Sequence, residues 1–218
     1  MKTLAEVRKA INFSHSGTLS NLVDHLIISG FVKKQSLWSF KTNKPLKQSL
    51  YRLCDPYMRF YLKFIEPQRN KIDLGNFQDT TFSHMPGIDV HLGLQMEQLL
   101  LQNRSLLLKA IGIPPDDIIA DGPFRQSKTT KQRGCQIDYL IQTSTNSLIA
   151  CEFKFSRREL GTEIIEQVQE KVRALKIPRG FGTVPVLCHI GGVSTSVAAG
   201  RHFYRIIDIT DFLEMNNA

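Results

Sequence analysis

Two carboxylates and one lysine fall within two short apolar segments that a polar loop separates. The segments are 136–142 and 148–155. Side chains alternate along a strand, so Glu152 and Lys154 share one face. If the segments form a hairpin symmetric about Thr145, Asp138 lies directly opposite Glu152, with Cβ atoms roughly 5 Å apart. Two carboxylates and an ammonium group then meet at one point of a sheet.

Such a meeting needs compensation, because close carboxylates repel each other and a charge inside an apolar strand loses solvation. A divalent cation compensates both costs, and hard oxygen ligands suit Mg²⁺ or Mn²⁺. Lys154 could then orient or deprotonate an attacking water while the ion stabilises charge on a phosphate. Glu97, in a predicted long helix, is a further candidate ligand, directly or through water. The spacing predicts Asp138, Glu152 and Lys154 as catalytic residues and Glu97, Asp138 and Glu152 as metal ligands.

A purely structural interpretation is open for each of these residues. Glu-x-Lys is common on solvent-facing strands, where the pair is simply hydrated. Here the pair lies between apolar residues, which favours a strand buried on much of both faces. Glu97 can equally occupy the polar side of its helix.

The elements around these residues predict an α/β domain with a central mixed sheet. Apolar periodicity indicates helices at 88–109 and 159–175 and strands at 117–124, 136–142, 148–155, 184–190 and 204–209. This order brings a helix before the first strand and another after the hairpin.

The first 54 residues show the order helix, turn, helix, basic hairpin, which is typical of a winged helix. Ser16 or Thr18 can cap the second helix, and Gly30 can end it. The hairpin strands are expected at 31–34 and 50–53. The lysines expected to contact DNA are Lys33, Lys34, Lys41, Lys44 and Lys47, the last three in the hairpin loop. The outer face of the second helix is only modestly suited to DNA, so protein docking is an alternative; its residues are Ser20, Asn21, Asp24 and His25.

Between these parts, 55–86 predicts a helical bridge. Asp55 and Pro56 form a cap followed by proline at the first helical position. Aromatic residues follow at helical spacing and are expected to be core rather than a base-stacking platform. The predicted domains are therefore a partial winged helix at 1–54, the bridge at 55–86 and the α/β domain at 87–218.

Composition favours a soluble protein with an anionic partner. The 218 residues carry a formal charge of +8, and clustered Lys and Arg release counterions on meeting phosphates. The four cysteines are widely separated and predict reduced thiols. No apolar run reaches transmembrane length and no signal peptide is evident, so the cytoplasm is the default expectation.

The pattern of Glu97, Ile137-Asp138 and Glu152-Phe153-Lys154 resembles the PD-(D/E)-x-K nuclease superfamily. That resemblance implies a restriction-endonuclease-like fold and Mg²⁺-dependent phosphodiester hydrolysis, with DNA as the expected substrate. It also implies metal ligation by Asp138 and Glu152, a catalytic Lys154 and a helix acid at Glu97. Some members carry a site glutamine on the next helix. The candidates for it are Gln167 and Gln169, for which a surface role is the alternative.

The wider arrangement, including residues 51–60, resembles the C-terminal region of prokaryotic, archaeal-type AAA ATPases. In that family a P-loop ATPase precedes a winged helix and a nuclease-like domain. The sequence contains no Gly-x-x-x-x-Gly-Lys-Ser/Thr, so the ATPase module is absent from it. We therefore expect a fragment, or a product split from a longer protein, which also accounts for the missing first helix of the winged helix. The alternative functions are a non-catalytic DNA-binding or regulatory module of an ATPase, and a transcription regulator.

Overall fold

A computed structural model describes residues 1–14, 16–39, 44–77 and 81–214. The chain divides into two units. The first comprises Met1–Leu37 and Pro45–His91, and the second comprises Trp38–Lys44 and Leu92–Ala218. Across the described ranges, no helix combines the length and the apolar character that a membrane span requires. The domain boundaries predicted from the sequence stay a prediction.

The first unit contains two helices followed by a two-stranded sheet, in the predicted order. The elements are α1 (Leu4–Ala10), α2 (Ser16–Ile28), β1 (Val32–Ser39) and β2 (Lys44–Leu53). Thr3 and Glu6 form a capping box at the start of α1, in which each side chain accepts a hydrogen bond from the other's backbone N–H. Gly30, at φ +78°, lies just past the end of α2, as predicted.

The hairpin strands are longer than predicted, and this corrects the assignment of two lysines. Lys44 and Lys47 belong to β2 and not to a loop, while Lys41 lies outside the described residues. Burial of Leu37, which is 5% exposed, continues β1 beyond the predicted end at residue 34. The strand therefore continues past residue 34 through a buried apolar residue.

The segment after the hairpin begins as predicted. Asp55 accepts a hydrogen bond from the Met58 N–H at 2.5 Å, at the start of α3 (Pro56–Phe60). A π-helical stretch (Tyr61–Ile65) and α4 (Arg69–Asp73) follow. The rings of Phe60, Phe64, Phe82 and His91 pack together with centroid distances of 5.3 to 6.0 Å. Phe64 and His91 are buried, at 6% and 5% exposed, whereas Tyr57 and Phe82 are exposed, so the predicted aromatic core is confirmed only in part.

The second unit is built on a five-stranded mixed sheet in the order β3-β4-β5-β6-β7. Its strands are β3 (Ile118–Gln126), β4 (Cys135–Thr143), β5 (Ser147–Phe155), β6 (Gly182–Ile190) and β7 (Arg205–Asp208). The β3–β4 and β4–β5 pairs are antiparallel, whereas β5–β6 and β6–β7 are parallel. The predicted mixed α/β class is confirmed.

Helices accompany this sheet. They are α5 (Ile88–Gln102), which starts in the first unit, α6 (Arg104–Ile111), α7 (Glu163–Ala174), α8 (Thr195–Ala199) and α9 (Asp211–Glu214). The prediction of a single helix at 88–109 is wrong, because the helix is interrupted at Asn103 (φ −108°, ψ 37°). The Asn103 side chain donates to the Leu99 carbonyl at 2.9 Å. Asparagine competes in this way with the helical backbone, which explains the break.

The sheet is buried on both faces. On one face, Tyr139, Ile149, Cys151 and Phe153 pack with residues of α5 and α6. On the other, Leu140, Leu148 and Ala150 pack near the end of α7. All four cysteines are free thiols, as predicted. β5 is thus an interior strand, and any charge on it needs a partner.

Candidate active site

The β4–β5 hairpin has the register that the sequence predicts. Tyr139 pairs with Cys151 and Leu140 with Ala150, so the hairpin is symmetric about Thr145. The described pairing ends at Tyr139 and Cys151. Just beyond it, the Asp138 carboxylate accepts a hydrogen bond from the Phe153 N–H at 2.9 Å. Asp138 is therefore fixed to the backbone of β5 immediately next to Glu152.

A β-bulge places Asp138 at this point. Gly122 pairs with Leu140 and Phe124 pairs with Ile137, so two β4 residues, Asp138 and Tyr139, lie opposite the single residue Pro123. Proline has no N–H to donate to the neighbouring strand, and such residues favour bulges. Bulges re-aim side chains and are frequent beside active sites.

Glu152 is the most enclosed charged group of the site, with 3% of its surface exposed. Lys171, from α7, donates to both of its carboxylate oxygens, at 2.7 and 2.5 Å. Lys154, two residues further along β5, lies 2.9 Å from Oε1. About a third of each lysine side chain is exposed, at 33% and 30%. Two partly exposed lysine side chains therefore share one buried carboxylate.

Burial raises the pKa of Asp138 to about 6, and the charge of Glu152 adds to the rise. Lys171 and the Phe153 N–H act in the opposite direction, and Glu97 raises the pKa further. A carboxyl group whose ionised form is disfavoured gains when a cation comes near it. The electrostatics of Asp138 therefore suit a cation-binding site.

Glu97 acts on Asp138 through its charge, and its place in the fold explains how. A Cβ on Gly93 of α5 would lie 3.5 Å from the Cβ of Phe155 on β5. Glu97 is one helical turn further along the same side of α5. The helix acid is thus near the hairpin, although it belongs to a different element.

The donor set fits Mg²⁺ or Mn²⁺ in its chemistry. These ions take carboxylate oxygens and usually keep several waters, so one or two carboxylates suffice. Asp138 and Glu152 are the two that the structure brings together. Within the described residues, no three His, Cys, Asp or Glu side chains form a group that could hold a metal ion. Glu97 as a direct ligand stays a prediction, as do the metal and catalytic roles of the other residues.

The contact with Lys171 was not expected from the sequence. Of the two candidate glutamines, Gln167 is exposed on α7, and Gln169 accepts a hydrogen bond from Arg173 at 3.0 Å. The sequence does contain a pattern that could have identified Lys171. This lysine follows Ile164 and Val168, which are buried on α7, at the same helical spacing. A lysine on the apolar side of a helix needs a buried partner, and Glu152 is that partner.

His189 on β6 and Asp208 on β7 form a second polar pair, in register with Lys154. His189 is the register neighbour of Lys154 on one side and of Asp208 on the other. Its Nδ1 lies 3.9 Å from Asp208 Oδ2 and has no hydrogen-bond partner among the described groups. Burial lowers the pKa of His189, while Asp208 and Asp211 oppose the effect. Asp208 is held by the Thr210 N–H and hydroxyl at 2.9 and 2.7 Å.

The predicted DNA-contacting lysines lie in the first unit. Lys33 and Lys34 are exposed on β1, and Lys47 is exposed on β2. Lys44 lies in β2, and Lys41 falls outside the described residues. Their contact with DNA stays a prediction.

Comparison with known proteins gives little further information. No family model matches the sequence, and no curated protein matches it. Among solved structures, the chain is similar to a repair endonuclease from Pyrococcus abyssi, with a TM-score of 0.34 and 14% identity. The match covers 52% of this chain and 44% of that one, which is less than half of the endonuclease chain. A likeness this low assigns neither a family nor a function.

Proposed function

We propose that this chain hydrolyses phosphodiester bonds in DNA with the help of Mg²⁺ or Mn²⁺. The observation that carries the proposal is the meeting of Asp138, Glu152 and Lys154 where the β4–β5 pairing ends. The raised pKa of Asp138 supports it, because perturbed carboxyl groups cluster at functional sites.

Each residue has a distinct role in this proposal. Asp138 and Glu152 hold the cation, and Glu97 assists from α5. When bound, the cation would stabilise negative charge on a phosphate oxygen and lower the pKa of a water. Lys154 keeps part of its side chain in solvent, so its ammonium group can orient that water or bind a phosphate oxygen. The bulge at Asp138 and the bond from Phe153 hold the first carboxylate in place before any substrate binds.

A basic loop beside the site supports a nucleic acid substrate. The loop joins β3 to β4 and leads into Asp138, and the segment 124–134 contains no acidic residue. Its exposed cations are Arg125, Lys128, Lys131 and Arg133. Gln126 anchors the loop: its side chain donates to the carbonyls of Arg133 and Ala174 at 2.6 and 2.8 Å and accepts from the Lys176 N–H at 2.8 Å. An anchored row of cations suits a phosphate backbone.

The test combines metal binding with cleavage. Mn²⁺ binding to the purified chain is measured by calorimetry, and cleavage of plasmid and linear duplex DNA is followed in the same buffer. Wild type is compared with Asp138→Asn and Lys154→Ala. We expect Mn²⁺-dependent cleavage by wild type and none by either variant. The proposal fails if wild type does not cut, or if both variants cut at its rate.

A second candidate function is a non-catalytic module that binds DNA or regulates an AAA-type ATPase. The specific observation in its favour is the contact of Lys171 with both oxygens of Glu152. This contact stabilises the carboxylate without a metal. On this candidate, Mn²⁺ gives no binding heat and Glu152→Ala binds DNA as well as wild type. Charge reversal of Lys33 and Lys47 then tests whether the hairpin of the first unit makes the contacts.

A further inference from the structure

Lys171 already takes the place of a cation at Glu152. Its ammonium group donates to both carboxylate oxygens, at 2.7 and 2.5 Å. Its neighbours Val168 and Val172 line a narrow cleft together with Glu152. Lys171 therefore reaches the carboxylate from a position on α7 at the edge of this cleft.

We infer that Lys171 competes with a divalent cation for Glu152, so that metal binding requires this lysine to leave the carboxylate. The inference rests on the proposed metal site. An ammonium group on both oxygens occupies two of the roughly four lone-pair positions of the carboxylate, and Lys154 lies against Oε1 as well, so little room is left for a metal ion beside Lys171. Lys171 therefore sets the affinity of the site for metal.

The charges of the site support an exchange over simple addition. With Glu97 included, the three carboxylates and the two lysines carry a formal charge of −1 when no ion is bound. A divalent cation added to all five groups gives +1 in a site that is mostly buried, and an unbalanced buried charge is costly. When the ion instead replaces Lys171, the three carboxylates face the ion and Lys154, and the formal charge is zero.

The partial exposure of Lys171 makes this exchange feasible. A third of its side chain already reaches solvent, and lysine has a long flexible stem. The ammonium group can swing into water without unfolding α7. Glu152, at 3% exposed, has no such freedom and stays as the fixed ligand.

The experiment is Mn²⁺ binding by isothermal calorimetry, in the full chain, for wild type and Lys171→Met. The matched control is Lys176→Met, which removes the same charge from an exposed position just beyond α7. Lys171→Gln is the second variant in case the methionine variant does not fold. Glu152→Gln combined with Lys171→Met identifies the ligand, because it removes the carboxylate that binds the ion.

We expect Lys171→Met to bind Mn²⁺ at least about tenfold more tightly than wild type, with Lys176→Met unchanged and the double variant silent. Equal or weaker binding by Lys171→Met overturns the inference and leaves the metal site standing. Binding by Lys171→Met alone, with wild type silent, supports the inference and removes metal-dependent cleavage as the function of the natural chain. Silence of both wild type and Lys171→Met overturns the inference and the proposed metal site together.

Discussion

Replacing Lys171 by methionine should destabilise the second unit by about 2 kcal/mol when no divalent cation is present. Glu152 is 3% exposed, and Lys171 donates to both of its oxygens. Removing one partner of a buried ion pair costs roughly 3–5 kcal/mol. Lys154 still contacts Oε1 at 2.9 Å in the variant, and a third of the Lys171 side chain is already hydrated. Both facts place the loss below that range.

A double-mutant cycle separates the charge interaction from the packing of the lysine stem. Glu152→Gln keeps the shape of the side chain but removes its charge. In that background, Lys171→Met should cost less than about 0.5 kcal/mol, because no buried anion is left without a partner. The expected coupling energy is therefore about 1.5 kcal/mol, within the range for residues in one ion-pair network.

The assay is urea unfolding in EDTA at pH 7.5, followed by far-UV circular dichroism. Hydrogen exchange of peptides from 147–155 assigns the transition to the second unit. Lys176→Met is the control, and it should change stability by no more than about 0.5 kcal/mol, as surface substitutions usually do. An equal cost of Lys171→Met in both backgrounds would refute a charge interaction with Glu152, since the lysine would then act only through its apolar stem.

Three further predictions concern other parts of the second unit. Tyr139→Phe should lose about 1–2 kcal/mol in urea unfolding, because the buried hydroxyl donates to Asp121 Oδ2 at 2.5 Å; an unchanged stability would contradict this. His189 has a lowered pKa, so the unfolded chain takes up a proton first as pH falls, and stability is lost below the unfolded pKa near 6.5. His189→Gln should therefore lose less stability than wild type between pH 7.5 and 5.5 in thermal unfolding, and an equal loss would contradict a lowered pKa of His189 as the cause. Replacing Lys128 and Lys131 together by glutamine should make the fall of the logarithm of the DNA-binding constant with the logarithm of salt concentration less steep by about 1–2, whereas an unchanged slope would place the DNA contacts elsewhere.

The hairpin and its register could be predicted because they depend on local pattern. Two apolar segments with alternating side chains and a short polar loop leave one symmetric pairing that buries the apolar faces. This pairing leads to Asp138 beside Glu152, and the structure places Asp138 against the Phe153 N–H just past the last pair. Lys154 follows from the alternation along β5. These parts of the candidate site need only residues within one supersecondary motif.

Features that depend on another element could not be predicted in this way. The bulge at Asp138 arises from Pro123, on a strand that the sequence does not show to be its neighbour. The length of the β1–β2 hairpin goes with the burial of Leu37. The bulge and the hairpin length both require knowledge of which surfaces meet, and the periodicity of a single segment does not contain it. The break at Asn103 is local, but a side chain that competes with the backbone inside an apolar run leaves the apolar periodicity of the predicted helix unchanged.

The charge of Glu152 shows why this distinction matters for function. A carboxylate inside an apolar strand demands a positive partner, and the sequence around it offers Lys154 or a metal ion. The structure adds Lys171, which comes from a helix and lies 19 residues away. Lys171 therefore compensates the buried carboxylate in the folded chain. Metal binding by the same groups depends on the balance between two cations at one carboxylate, and a substitution that removes one of them measures it.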